Sequence, residues 1–177
     1  MNTLEAIASR KSVRSYTGQP VTDEQLAQIL QAANAAPIAM GKYEDVHLTV
    51  VTDADLLARI DAAAGAMFGD PDRHPLYGAP TLVVVSAPVP DELPAANVAF
   101  SNAAIVVENM ALAATELGVG NCLIWGAIRA VNLDADLVAA LELPEGFTPC
   151  CALTVGCSDV AFEPREVPAD RISRNDL

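Results

Sequence analysis

The chain has 177 residues, 52% of them hydrophobic but only 5% aromatic, and a formal net charge of -13. That length suits a single domain with room for a sizeable core. The acidic balance argues against nucleic acid as a partner, which needs a broad cationic face, and no stretch of 18 or more apolar residues runs free of charge as a membrane span would.

Met1-Asn2-Thr3-Leu4-Glu5 lacks the basic-then-apolar layout of a secretory signal, so the expectation is a soluble cytoplasmic protein. Leu4, Ile7 and Ala8 have helical spacing after a Thr3 cap. This short helix delivers Arg10-Lys11-Ser12-Val13-Arg14-Ser15-Tyr16, the densest concentration of positive charge in the sequence. A guanidinium fork matches a phosphate, and serine adds a short donor. The run reads equally as a site for a small phosphorylated ligand and as a solvated basic turn. Six of the ten Lys and Arg residues lie near the two ends (Arg10, Lys11, Arg14, Arg165, Arg171 and Arg174), and would form one positive pocket if the ends meet.

Thr22-Asp23-Glu24-Gln25 is a capping box followed by an apolar stripe of Leu26, Ile29, Leu30 and Ala33, and Pro37 stops that helix. Val46 to Val51 is a short β-branched strand, and Thr52-Asp53-Ala54-Asp55 starts a helix with Leu56, Leu57 and Ile60 on its buried side. Gly65 to Gly78 breaks periodicity and reads as a mobile loop. Thr81 to Ser86 is apolar enough for a strand covered on both faces, and Pro88, Pro90 and Pro94 punctuate its exit. A helix from about Ala95 to Leu117, some 33 Å long, has so little polar face that it is either deeply buried or part of a subunit interface. Gly118 and Gly120 close it as a helix terminus, since the third glycine and preceding strand of a dinucleotide fingerprint are missing. Asn121 to Gly126 is extended and ends where a glycine lets backbone approach a ligand. Asp134 to Leu141 forms a helix, Thr148 to Cys157 a last core strand, and Phe162 to Leu177 a polar tail long enough to wrap a neighbour.

Cys122, Cys150, Cys151 and Cys157 read as inert, mostly buried thiols. With only His47 and His74 available, zinc sites and histidine triads have few candidates. Glu44-Asp45 and Asp53-Asp55 read as solvated or capping carboxylates. Glu108, inside the apolar helix, reads as a buried carboxylate that needs a partner. No acid–base pair, activated nucleophile or metal cluster emerges. Any chemistry is expected to belong to a bound cofactor.

The opening Arg10-Lys11-Ser12-Val13-Arg14-Ser15-Tyr16 resembles the start of nitroreductase-family flavoproteins, and further pieces follow in that family's order. These are Ala35-Ala36-Pro37-Ile38-Ala39, Tyr77-Gly78-Ala79-Pro80 before an apolar strand, Asn102-Ala103-Ala104 and Glu108 to Ala114 on the long helix, Leu117-Gly118-Val119-Gly120, Trp125-Gly126, and Pro144-Glu145-Gly146-Phe147. The resemblance implies an α+β fold, a three-layer helix/sheet/helix sandwich spanning residues 1–177, in an intimate homodimer with FMN at each of two interface sites. By resemblance, Arg10, Ser12 and Arg14 hold the FMN phosphate and ribityl chain with Lys11 beside them, and Arg165 adds a cation from the tail. Trp125 and Gly126 lie against the flavin ring. Pro37, Ile38 and Ala39 reach it from the partner, and the long helix is dimer core. The chain departs from the family after Pro37, where Ile38 to Asp45 replaces the usual Ser and Asn-x-Gln-Pro-Trp stretch. Lys42 is then the candidate for the pyrimidine edge. The implied function is reduction of nitroaromatics, quinones or similar small acceptors by NADH or NADPH through flavin N5, in ping-pong order. The alternative is an FMN-binding storage, sensing or delivery module with negligible turnover.

Overall fold

A computed structural model describes residues 1–177. Helix α1 (Thr3–Ser9) starts from Asn2, one residue before the expected cap. The Asn2 side chain accepts the Glu5 N–H at 3.0 Å, and the Glu5 carboxylate accepts the Asn2 N–H at 2.9 Å. Its apolar face is not the buried one. Ala6 and Ser9 face the core, whereas Leu4 and Ile7 are 77% and 47% exposed. Helix α2 (Asp23–Asn34) opens on the predicted Thr22–Gln25 box, buries Ile29 and Ala33, and ends ahead of Pro37, which has no N–H to continue it.

After two 3-10 turns (Ala39–Gly41 and Tyr43–Asp45) come strand β1 (His47–Val51) and helix α3 (Ala54–Met67). Asp53 caps α3 by accepting the Leu56 N–H at 2.7 Å. The helix runs through Gly65, so the expected loop is shorter than Gly65 to Gly78. Gly65 is needed there because a Cβ would lie 2.5 Å from the Arg73 carbonyl oxygen. The loop is also tied down: the Asp61 carboxylate accepts from His74 Nδ1 and from the Leu76 N–H, both at 2.7 Å.

Strand β2 (Thr81–Pro88) is buried at every residue but the last, as its composition predicts. Helix α4 (Leu93–Glu116) starts earlier than the prolines indicated, because Pro94 sits in its first turn, where a missing N–H costs nothing. Gly118, at φ 69°, takes the left-handed position that ends α4. Gly120 instead begins strand β3 (Gly120–Ile124). Helix α5 (Gly126–Asn132) was not foreseen. Helix α6 (Ala135–Ala140) and strand β4 (Phe147–Gly156) complete the fold.

The four strands form one antiparallel sheet in the order β1-β2-β4-β3. On one face, Val83, Val85, Leu153 and Val155 pack with Ile29, Val106 and Met110 of α2 and α4. On the other, Leu82, Val84 and Ala152 pack with Ile60, Ile128 and Leu137 of α3, α5 and α6. The two apolar faces give the expected three layers. A fully buried side chain such as Ile29 or Met110 contributes about 2 kcal/mol by leaving water.

By length and composition α4 is apolar enough to cross a membrane, and half of its most apolar stretch is buried within the fold. It is not covered all round. Val98, Ile105 and Glu108 lie on an open side, and Glu108 is an exposed carboxylate, with Arg10 Nε at 3.5 Å, rather than a buried one.

Candidate functional site

Val13 fastens the basic run to the fold. Its side chain is buried and its N–H donates to the Asn121 carbonyl at 2.8 Å, while the Thr17 N–H donates to the Cys157 carbonyl at 3.0 Å. The run therefore lies along β3. Tyr16 turns inward, its hydroxyl 2.7 Å from Thr154 Oγ1, which in turn donates to the Cys122 carbonyl at 3.2 Å. Burial pushes the Tyr16 phenol well above its ordinary value, so it remains a neutral strut. The Cys122 thiol is also pushed up by burial, with Ser12 and the guanidiniums of Arg14 and Arg10 acting in the opposite direction. Arg10, Ser12 and Arg14 all bear on the Cys122 thiol of β3, the strand to which Val13 fastens the run.

The chain ends do meet, in part. Arg165 donates from Nη1 to the Ala8 carbonyl at 2.9 Å and also to the Arg10 carbonyl, and its backbone N–H reaches Ala8 as well. Lys11 Nζ donates to the Ala161 carbonyl at 2.7 Å. Arg174 instead pairs with Asp176 in the exposed tail at 3.1 Å, and Arg171 is an exposed tail residue. The positive cluster therefore has four members rather than six. Within it, Lys11 and Arg165 spend donors on backbone carbonyls, and Arg10 faces Glu108.

Trp125, half exposed, precedes α5, and Gly126 is that helix's first residue. Beside them is a cavity of about 170 Å³, lined by Phe68, Arg73, Tyr77 and Leu123 among others. The Phe68 ring covers Gly126, and the Arg73 guanidinium lies 4.2 Å from the ring centre of Phe68. Arg14 approaches the Tyr77 ring to 6.0 Å. Tyr77 is thus a neighbour shared by the basic run and the Trp125–Gly126 cavity. Phe68 and Arg73 carry no signal in the sequence, and Tyr77 stands there only as part of the Tyr77-Gly78-Ala79-Pro80 motif, with no site role. The only local signal was the Tyr77-Gly78 pair, which forms a tight left-handed turn with φ of 57° and 76°.

Pro37, Ile38, Ala39 and Lys42 lie elsewhere. The Ile38 side chain is turned into the α2–α4 core, so its outward reach is limited to backbone. The Ala39 N–H donates to Asn102 Oδ1 at 3.2 Å, and Lys42 borders a separate cavity of about 320 Å³ with Met40, Asp45 and Asn102. Within one chain these residues do not join the Trp125 cavity. No group of three or more His, Cys, Asp or Glu side chains converges as metal ligands. The arrangement around Arg14 and Tyr77 suits a molecule with an anionic end and a flat ring: guanidiniums and a serine hydroxyl for one, a narrow aromatic-lined cleft for the other.

The chain matches the model of the Nitroreductase family over residues 7–157. It is 28% identical to the FMN reductase [NAD(P)H] of Bacillus subtilis over 86% of this chain, and spans 64% of that relative's length. Among solved structures, it resembles a nitroreductase with bound FMN from Bacteroides fragilis at 28% identity and a TM-score of 0.80, covering 99% of this chain and all of that one. A second FMN-bound nitroreductase, from Desulfitobacterium hafniense, gives 26% identity and a TM-score of 0.83 with the same coverage.

Proposed function

Because the chain belongs to the nitroreductase family, we propose that it is an FMN-dependent oxidoreductase using NADH or NADPH to reduce a small nitroaromatic, quinone or similar acceptor. The observation that carries this reading is the shared face of the basic run and the Trp125–Gly126 cavity, joined through Arg14 and Tyr77. Relatives named for FMN reduction by NAD(P)H, and neighbours with FMN bound, support the cofactor.

The residues present fit such a group. A chain of net charge -13 gathers four of its ten cations here. Arg10, Ser12 and Arg14 would hold the phosphate and ribityl chain, while Lys11 and Arg165 fix the run's backbone and add positive potential. Trp125 and Gly126 would flank the ring. When bound, FMN supplies the hydride and electron chemistry between donor and acceptor. The chain's own part is binding, orientation and exclusion of water, since no acid–base pair stands at the cavity. One pocket serving both substrates in turn implies ping-pong kinetics.

The reading includes a homodimer. Leu4 and Ile7 on α1 and Val98 and Ile105 on α4 are exposed apolar side chains that a partner subunit would cover. In that assembly Pro37, the Ile38 backbone, Ala39 and Lys42 would complete the partner's flavin site, and residues 160–177 would wrap the partner. The four unpaired cysteines suit a reducing, cytoplasmic setting.

The test is the visible spectrum of purified protein, before and after FMN addition, then anaerobically with NADH and NADPH. Yellow protein that bleaches within seconds and returns colour on quinone addition is the expected result. A colourless protein that takes up no FMN overturns the reading, and a yellow protein that no nicotinamide bleaches makes it a flavin-binding module.

A further inference from the structure

Of the four cations gathered at the site, Arg14 alone is uncommitted to another polar group of the protein. Arg10 faces Glu108 at 3.5 Å, and Lys11 and Arg165 donate to backbone carbonyls. Arg14 instead lies 6.0 Å from the centre of the Tyr77 ring. A guanidinium drawn toward a ring face is oriented without consuming its N–H donors, because the attraction comes from the ring's quadrupole. All five donors stay available to a ligand.

Tyr77 occupies an unusual position to provide that face. Its φ is 57°, in the left-handed region that bulky side chains rarely adopt, and Gly78 follows at 76°. A glycine or asparagine would make the same turn with less strain. The turn cannot relax, because it is pinned from both sides. Tyr77 N–H donates to the His74 carbonyl at 2.9 Å, Ala79 N–H to the Leu76 carbonyl at 3.0 Å, and Leu76 N–H to the Asp61 carboxylate at 2.7 Å. Strain held in place by its surroundings, on a residue that lines the cavity, points to a role in the site.

We infer that Tyr77 is a positioning residue: its fixed left-handed backbone holds the phenol ring against Arg14 and aims that guanidinium at the cavity beside Trp125 and Gly126. The inference rests on the flavin reading for the identity of the ligand. It adds that the cation reaching the ligand from the basic run is oriented by an aromatic ring on a distant loop, not by a carboxylate.

The experiment is a fluorescence titration of FMN into apoprotein, for wild type, Tyr77→Phe, Tyr77→Leu, Arg14→Gln and the double variant Arg14→Gln/Tyr77→Leu. Tyr77→Phe keeps the ring face and is expected to bind within about twofold of wild type. Tyr77→Leu keeps apolar bulk but loses the face, and is expected to weaken binding about five- to tenfold. In the Arg14→Gln background the same change should add less than about twofold, because the two residues act as one unit. Arg14→Lys, which retains charge but not the planar guanidinium fork, should weaken binding about fivefold and provides the answer if Tyr77→Leu fails to fold. The inference is overturned if Tyr77→Leu or Arg14→Lys binds FMN like wild type, or if the Arg14 and Tyr77 effects multiply. A wild-type chain that takes up no FMN would overturn the flavin reading itself, and this inference with it.

Discussion

The Phe68 ring lies on the Cα of Gly126, in the space a Cβ would take. A glycine at the start of α5 is therefore explained by an aromatic side chain from the α3–β2 loop, which packs there with Arg73 on its outer side.

Gly126→Ala is accordingly expected to displace the Phe68 ring rather than collapse the fold, since that ring is partly exposed. The cost should be about 1 kcal/mol, read as a lower Tm and faster proteolysis within residues 68–78. Phe68→Ala in the same chain should remove most of the clash. A Gly126→Ala variant with unchanged stability and loop protection would show that the contact carries no constraint.

Arg165 holds the tail to the carboxyl end of α1, where unpaired carbonyls concentrate negative partial charge. Replacing it with Gln should cost roughly 1–2 kcal/mol of stability, as loss of charge-assisted hydrogen bonds to Ala8 and Arg10 implies. The tail should also become protease-sensitive from about residue 161 onward. Chemical denaturation and limited proteolysis check both.

Ile105 is exposed on α4 among other apolar side chains. If that face is a homodimer interface, Ile105→Glu places a charge in it and should shift sedimentation from dimer to monomer at micromolar concentration, with FMN lost in parallel. A wild-type protein that sediments as a stable monomer removes the basis for the dimer.

Burial pushes the Cys150 thiol from its ordinary 9.0 to about 11 and that of Cys151 to about 12. Between pH 9 and 11 the unfolded chain sheds these protons while the folded chain retains them, so stability falls as pH rises. Below pH 9 neither state is ionised and the effect vanishes. For Cys150 alone the loss across that window is about 3 kcal/mol. A Tm profile from pH 8 to 11 should show the decline, and Cys151→Ala should flatten it. Alkylation of the native protein should reach half-buried Cys157 first.

Much of the architecture was legible because it is written in local chemistry. The Thr22 cap, the run before Pro37, the doubly buried β2 and the glycine ending α4 each depend on residues within a turn of one another. The misreadings have the same origin. Seven residues beginning with glycine carried too little periodicity to announce α5. The faces of α1 and the exposure of Glu108 depend on what packs nearby, which spacing does not report.

For the site, the sequence by itself determined that Arg10, Ser12 and Arg14 stand together as donors of the kind a phosphate takes, since donor type and density are properties of a short segment. Only the tertiary structure decided how those donors are used. It committed Lys11 and Arg165 to backbone carbonyls, turned Ile38 into the core, and brought Tyr77 and Phe68 from one loop against Arg14 and Gly126. Such pairings join segments far apart in the chain. They form because both faces of one sheet must be covered, and no local pattern encodes which distant side chains that packing brings together.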